Sequence, residues 1–502
     1  MYKNDDGQIT FEEFISPFKT LDKKNRWVRI ADIIPWQRLE ERYAKRFCES
    51  NGTPAIKFRM AMGALIIKQM TGHSDDVLLM DIIENPYMQY LIGLHEFTIT
   101  PPFSQSSVSN FRKYITAEMI NEVNEIIFDT KTNGKDDGSG GSGGGDRSGG
   151  GDERNELTVR DGEERTDSQP DNKGILLLDA TCAPAYIAYP TDVNLLNEAR
   201  EKLEGMIDVL RPKGYNGKKP RTYREKAHKA YLSFVKQRKP SKKAVRKAIG
   251  QQLRFVRRDL THVEAMIHKF GVGALSQRQQ EWLETVCSLY SQQQQMYEKK
   301  THTVPERIVS IGQPHVRPIV RGKASAAVEF GAKVSIHMKD GYAFIDKTGW
   351  DAYAEQEQLI PMLKRYRERN GCYPEAVLVD RIYRNRENRA FCKEWGIRIS
   401  GPRLGRPPKE TDKAVIKQAW IDNARRNVVE GKFGEGKTRY GLDRIMARLK
   451  DTSETVIAMS FFCLNLSRRL RVLLRLFSHI GCKVLFRFKL DFCMPIPQTL
   501  PF

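Results

Sequence analysis

The chain has 502 residues, with 83 Lys and Arg against 62 Asp and Glu, for a formal net charge of +21. That length exceeds one ordinary domain, and so large a positive surplus favours a polyanionic partner, nucleic acid before any other. No apolar run of roughly 18 residues occurs, and the opening MYKNDDGQIT lacks the basic-then-apolar plan of a secretion signal, so a bilayer-spanning helix is excluded and a cytoplasmic, nucleoid-associated location is expected.

The first 130 residues are expected to be helical. Pro54 leads into AIKFRMAMGALIIKQMTG, apolar at helical spacing and stopping at Gly72; Ser74 caps DDVLLMDIIENPYMQYLIG; SQSSVSNFRKYITAEMINEVNEIIF offers a third helix. Short helices joined by tight turns suit either a helix-turn-helix reader of duplex DNA or a dimerisation module. Near the start, Asn4, Asp6, Gly7, Ile9 and Glu13 fall at the spacing of a calcium loop. Its first ligand position would be Tyr2, which supplies no carboxylate, so calcium is not expected.

From Lys131 to Asn172 the sequence is Gly, Ser, Asp, Glu and Arg with almost no apolar residues, the composition of a flexible tether. Gly138, Gly140 and Gly143 spell GxGxxG there, but no strand precedes and no helix follows, so no nucleotide site is expected.

Residues 173–450 switch to strands alternating with helices, the mark of an α/β sheet. GILLLDATCAP ends its apolar run at Asp179 and AYIAYP follows. EFGAKVSIHMKDG and YAFIDKTGW form a hairpin at Asp340 and Gly341. PEAVLVD ends at Asp380, between helical stretches over Tyr353 to Arg369 and Asn385 to Trp395. IRISG gives a short strand, and a long helix is expected from Ala414 to Leu449. After Lys450, a helix with an apolar face should pack on the sheet, and 451–502 form the C-terminal segment.

Within this region, about 193–319 is a polar helical insertion. From Arg211 to Arg258 it carries eighteen basic residues against one acid, Glu225. Solvated surfaces usually mix signs, so Lys218, Lys219, Arg221, Lys242, Lys243, Arg246, Lys247, Arg257 and Arg258 are candidate phosphate contacts, a solvated helical arm being the alternative.

Open α/β sheets build sites at strand ends, which makes Asp179 and Asp380 candidates. In NARRNVVEGKFGEGKTRYGL, Arg426, Glu430 and Lys437 are four and seven apart and share one helix face. Three converging carboxylates would repel one another without a hard cation, whereas two divalent ions suit phosphoryl transfer. The eight cysteines (Cys48, Cys182, Cys287, Cys372, Cys392, Cys463, Cys482, Cys493) form no CxxC pair, so they are expected as reduced thiols and oxygen must hold any metal. Glu435 competes with Glu430 as third ligand, and Asp192 with Asp179.

Arg426, Glu430 and Lys437 match the last three members of the motif Tyr, two residues, Arg, three residues, Glu, six residues, Lys, with Asn423 standing where the motif has Tyr. With LDAT, YPTD, VRGKASAAVEFGAKVS, WDAYAEQ, VLVD followed by NRENRAFCKEWGI, FGEGKTRYGLDR and the N-terminal FRMAMGALIIKQMTG, the chain resembles the DDE transposases of bacterial insertion sequences, in the four/five superfamily and its five-like group. The resemblance implies a ribonuclease H-like catalytic domain behind an all-α N-terminal domain. It implies that Asp179, Asp380 and Glu430 hold two Mg2+ or Mn2+ ions, and that Arg426 and Lys437 contact phosphate. A homodimer or higher multimer acting on double-stranded DNA, both element ends and target, is implied as well. A nuclease of the same fold without strand transfer, or a DNA-binding derivative that has lost catalysis, are the alternatives.

Overall fold

A computed structural model describes residues 17–47, 54–129, 171–212, 217–320, 328–401 and 413–491. The calcium-like segment, the GxGxxG stretch, residues 131–170 of the expected tether, Cys48 and Cys493 lie outside them. Cys182, Cys287, Cys372, Cys392 and Cys463 are free thiols, buried except for Cys287.

The N-terminal region is helical: α1 (Arg26–Ile33), α2 (Trp36–Ala44), α3 (Phe58–Thr71), α4 (Asp75–Glu84), α5 (Pro86–Leu91), α6 (Gln105–Tyr114) and α7 (Ala117–Phe128). Two of the expected helices are each split. Pro86 has no N–H to donate back into α4, and Asn85 Oδ1 accepts from Tyr87 N at 3.0 Å, starting α5 instead. Ile115 and Thr116 are extended, which separates α6 from α7. Helix α3 is the hub: Phe58, Ala61, Met62, Ala64, Ile66 and Ile67 are fully buried on several faces, as expected of a helix apolar all round. It ends where expected, at Gly72, whose φ of 73° is left-handed.

The sheet contains β1 (Ile175–Pro184), β2 (Arg317–Val320), β3 (Val328–Lys339), β4 (Tyr342–Gly349), β5 (Ala376–Leu378) and β6 (Arg398–Ile399). Strand β3 pairs antiparallel with β1, β2 and β4, whereas β1, β5 and β6 run parallel in that spatial order. The hairpin turns at Asp340 and Gly341, both at positive φ. One sheet face packs on α12 (Leu359–Asn370) and α13 (Arg386–Glu394), with Leu176, Leu178, Met362, Leu363 and Val377 in their core. The other meets α14 (Lys413–Arg439) and α15 (Lys450–Asp491).

The long helix expected to reach Leu449 stops at Arg439. Gly441 turns with φ 62°, and Leu442 N returns to Gly436 O at 3.1 Å, closing the helix end. The freed segment pairs with the chain leaving β1: Ile445 N donates to Pro184 O at 2.8 Å and Tyr186 N to Ile445 O at 2.9 Å. Gly431 and Gly434 lie inside the helix without breaking it, and Gly436 leaves room for Leu442 and Leu464.

Helix α15 joins the two expected halves. Its Phe461, Phe462, Leu464 and Leu466 belong to one hydrophobic cluster with α3, α7 and the β3/β4 face of the sheet. At the centre of that junction Asn465 is fully buried; it accepts from Ala343 N at 2.9 Å and donates to Asn124 Oδ1 at 2.9 Å and Ala343 O at 2.7 Å. This fixes one register among α7, β4 and α15.

The insertion comprises α8 (Asp192–Leu210), α9 (Arg224–Val235), α10 (Lys242–Phe270) and α11 (Gln277–Lys299), packed on a separate core of Leu196, Leu203, Ile207, Val256, Val263 and Leu289. No helix among the described residues is long and apolar enough to cross a membrane.

Candidate active site

Parallel pairing aligns Ile175 with Ala376 and Leu177 with Leu378, so continuing the register sets Asp179 level with Asp380. Each carboxylate is anchored by the next peptide N–H: Ala180 N donates to Asp179 Oδ1 at 2.7 Å and Arg381 N to Asp380 Oδ1 at 2.6 Å. Helix α14 packs over β1 and β5, and from it Arg426 Nη1 donates to Asp380 Oδ1 at 2.8 Å.

The two carboxyls sit in different environments. Burial, together with the negative charges of Glu355 and Asp380, pushes the Asp179 carboxyl up to about 6, against the opposing pull of the Ala180 N–H and Arg426. Asp380 is also raised by burial, but the Arg381 N–H and the Arg426 guanidinium outweigh that and hold it below the usual carboxylate range. An acid kept uncomfortable by its neighbours is a common mark of a functional centre, and also of a place that a cation would relieve.

Glu430 lies one turn beyond Arg426 on the same face of α14, exposed and without an ion pair among the described residues. Lys437 is half-buried two turns further on. Among the described residues no three His, Cys, Asp or Glu side chains are gathered as a formed metal cage. The pair Asp179 and Asp380 is thus brought together, with Glu430 displaced along the helix from Arg426.

The two rivals are engaged in structure. Glu435 points to α15, ion-paired with Lys432 at 3.1 Å and Arg471 at 2.8 Å. Asp192 accepts from Gln293 at 2.9 Å and Arg307 at 2.7 Å where the insertion begins.

Sequence reasoning missed Glu355, which lies in the turn before α12 and is mostly buried. Lys333 of β3 pairs with it at 2.9 Å. Its turn is tied to the one after Asp380 by Asn388, whose amide donates to Gln356 O and Tyr383 O, each at 2.8 Å. The phrase WDAYAEQ contains Glu355, but nothing in its spacing singles that glutamate out from surface charge.

The basic residues of the insertion divide. Arg258 is spent internally on Asp259 at 3.1 Å, on Thr222 O and over the Tyr223 ring at 4.9 Å. Lys219 pairs with Asp208, Arg246 covers Tyr297 at 4.2 Å and Arg221 covers Tyr223 at 5.0 Å. Lys218, Lys242, Lys243, Lys247 and Arg257 are exposed, with no ion pair among the described residues.

Asp380 lies just past the end of β5 as expected, whereas Asp179 sits in the middle of β1, which runs on to Pro184 because it stays paired with β3. With a cation-bearing helix over them and exposed lysines on the insertion, the arrangement suits an enzyme that handles DNA. Comparison with known families agrees: residues 377–467 match a transposase DDE domain, a span that holds Asp380, Arg426, Glu430 and Lys437, and residues 16–114 match a transposase domain (DUF772). Both matched regions are transposase domains, and the match to the DDE domain indicates an enzyme that cuts and transfers DNA strands. A stretch of 201 residues, 40% of this chain, is 25% identical to "Uncharacterized protein ORF8 in nfe locus" of Rhizobium meliloti, covering 79% of that protein. No solved structure matches.

Proposed function

We propose that this transposase, of the five-like group of bacterial insertion sequences, binds the inverted-repeat ends of its element as a multimer, cleaves them, and joins the freed 3′ hydroxyl to target DNA. The observation that carries the reading is the parallel register of β1 and β5, which, continued two residues past β5, brings Asp380 opposite Asp179, with Arg426 bonded to Asp380. The sheet supports a ribonuclease H-like domain: the order β4-β3-β1-β5-β6 with β3 reversed sets β1 and β5 parallel and side by side at the site.

The donor set fits a hard divalent cation, because Asp179 and Asp380 offer carboxylate oxygens and Asp179 carries a charge its surroundings disfavour. Asp179, Asp380 and Glu430 would hold two Mg2+ or Mn2+ ions, which supply activation of the attacking hydroxyl and neutralise the leaving oxygen. Arg426, now spent on Asp380, becomes available to a DNA phosphate once that carboxylate is neutralised otherwise. Lys437, two turns past Glu430, extends the same cationic stripe, and the exposed lysines of the insertion grip backbone away from the cut.

Cleavage assays on end-bearing duplex with Mg2+ or Mn2+, comparing the parent with Asp179→Asn, Asp380→Asn and Glu430→Gln, test this directly. Each variant should lose cutting by at least about a thousandfold and keep DNA binding, and each should weaken Mn2+ binding read by electron paramagnetic resonance. Full cutting by any one of them refutes that residue's role as a ligand. Strand joining to a plasmid separates transposition from plain nuclease action.

A further inference from the structure

Strand β1 carries Asp179 and leaves the sheet at Pro184, about 17 Å further on at 3.3 Å per residue. Helix α14 carries Arg426 and Glu430 and leaves at Arg439, about 14 Å beyond Glu430 at 1.5 Å per residue. The two exits meet, clamped by the bonds between Pro184, Tyr186 and Ile445. What they present together is unusual for a surface: Tyr189 is 76% exposed and Tyr186 is 45% exposed, beside the exposed arginines Arg444 and Arg448.

The surface is rigidly made. The Arg444 guanidinium lies 3.9 Å over the Tyr186 ring, Gln313 donates to Tyr186 O at 3.0 Å, and Tyr189 stands edge-on to Phe330 at 5.8 Å. Next to it opens a cleft of about 410 Å³, with Tyr186 and Tyr189 on the sheet side, Arg278 from α11 and Arg448 from the loop before α15. Of the acids nearby, Glu198 is paired with Lys202 at 3.4 Å and Asp443 is exposed. Arg444 and Arg448 have no ion pair among the described residues, so the balance is positive.

Open tyrosine rings interleaved with unneutralised arginines match a polyanion that also offers flat apolar faces, which is a nucleic-acid strand with bases out of the duplex. We propose that Tyr186, Tyr189, Arg444 and Arg448 form a platform for unpaired DNA flanking the cut. The arginines take the backbone and the tyrosines stack on the bases. This rests on the transposase reading and adds to it the form of DNA that the enzyme prefers beside its site.

The test uses the full chain and fluorescence anisotropy with a mixed-sequence 40-nucleotide single strand and its duplex. Tyr186→Ala with Tyr189→Ala should weaken single-strand binding about a hundredfold, roughly tenfold for each ring-on-base stack lost, while changing duplex binding less than about threefold. Tyr186→Phe with Tyr189→Phe keeps the rings and should restore single-strand affinity, which excludes a folding defect. Arg444→Gln with Arg448→Gln should weaken both and lower the salt slope by about 1.5. Unchanged single-strand binding in the alanine pair, or equal losses for strand and duplex, overturns the platform. A parent chain that binds neither DNA overturns the transposase reading as well, whereas a parent that binds both while the alanine pair behaves like it sinks the platform alone.

Discussion

The N-terminal helices and the basic insertion are both helical, and both stand apart from the sheet in sequence, yet they are built into the molecule in opposite ways. The helices from α1 to α7 share one apolar cluster with the sheet and α15. The insertion closes a core of its own, its base tied by Arg307 on Asp192, and meets the chain leaving β1 through Gln313 on Tyr186 O. A segment that lends its apolar face to the sheet cannot be removed without exposing the sheet, whereas one that buries its own can be spent on contacting a ligand. The charges follow: the insertion exposes Lys218, Lys242, Lys243 and Lys247 with no ion pair among the described residues, while Lys68, Arg112 and Lys339 of the shared body are tied to Asp75 or Asp129.

The largest expected effect breaks the comparison outright. Removing residues 1–129 should leave a chain that does not fold cooperatively, because α15 and the β3/β4 face lose their cover, while replacing 193–307 by a short linker should leave a cooperative unfolding transition by circular dichroism. If the two deletions behave alike, the contrast is wrong. Next, Asn465→Leu orphans the Ala343 N–H and Asn124 Oδ1, and should lower global stability by about 3 kcal/mol in urea titrations. Its counterpart Arg200→Met, within the insertion's buried pairs to Glu204 and Asn197, should speed hydrogen exchange in 192–300 and leave the sheet protected.

Asp179 gives a smaller effect with a pH signature. Its folded carboxyl titrates near 6, above the usual value, so the folded state holds a proton that the unfolded chain has already lost between about pH 4 and 6. The stability this provides is present at low pH and disappears as pH rises through 6. Metal-free Asp179→Asn should therefore unfold later than the parent at pH 7.5, by about 1–2 kcal/mol after allowance for solvent screening, and converge with it near pH 4. The gap closing at high pH instead would reverse the assignment. Smallest for the fold, and confined to binding, is Lys242→Gln with Lys243→Gln, Lys247→Gln and Arg257→Gln. These changes should leave the melting temperature within about 1 °C and lower the salt slope of DNA binding by about two to four.

Local patterns fixed much of this protein. Apolar runs ending in Asp179 and Asp380, the glycine stops at Gly72 and Gly341, and the lopsided charge of 211–258 are short-range features, and each settles an element, a turn or a surface from its own neighbours. Tertiary structure alone decided the rest. That α14 ends at Arg439 depends on Ile445 finding Pro184, that Glu435 is structural depends on Arg471 from another helix, and that Glu355 sits beside Asp179 depends on Asn388 tying two turns together. These pairings join residues far apart in the chain, and a contact across such a separation leaves no periodicity or spacing in the sequence to read.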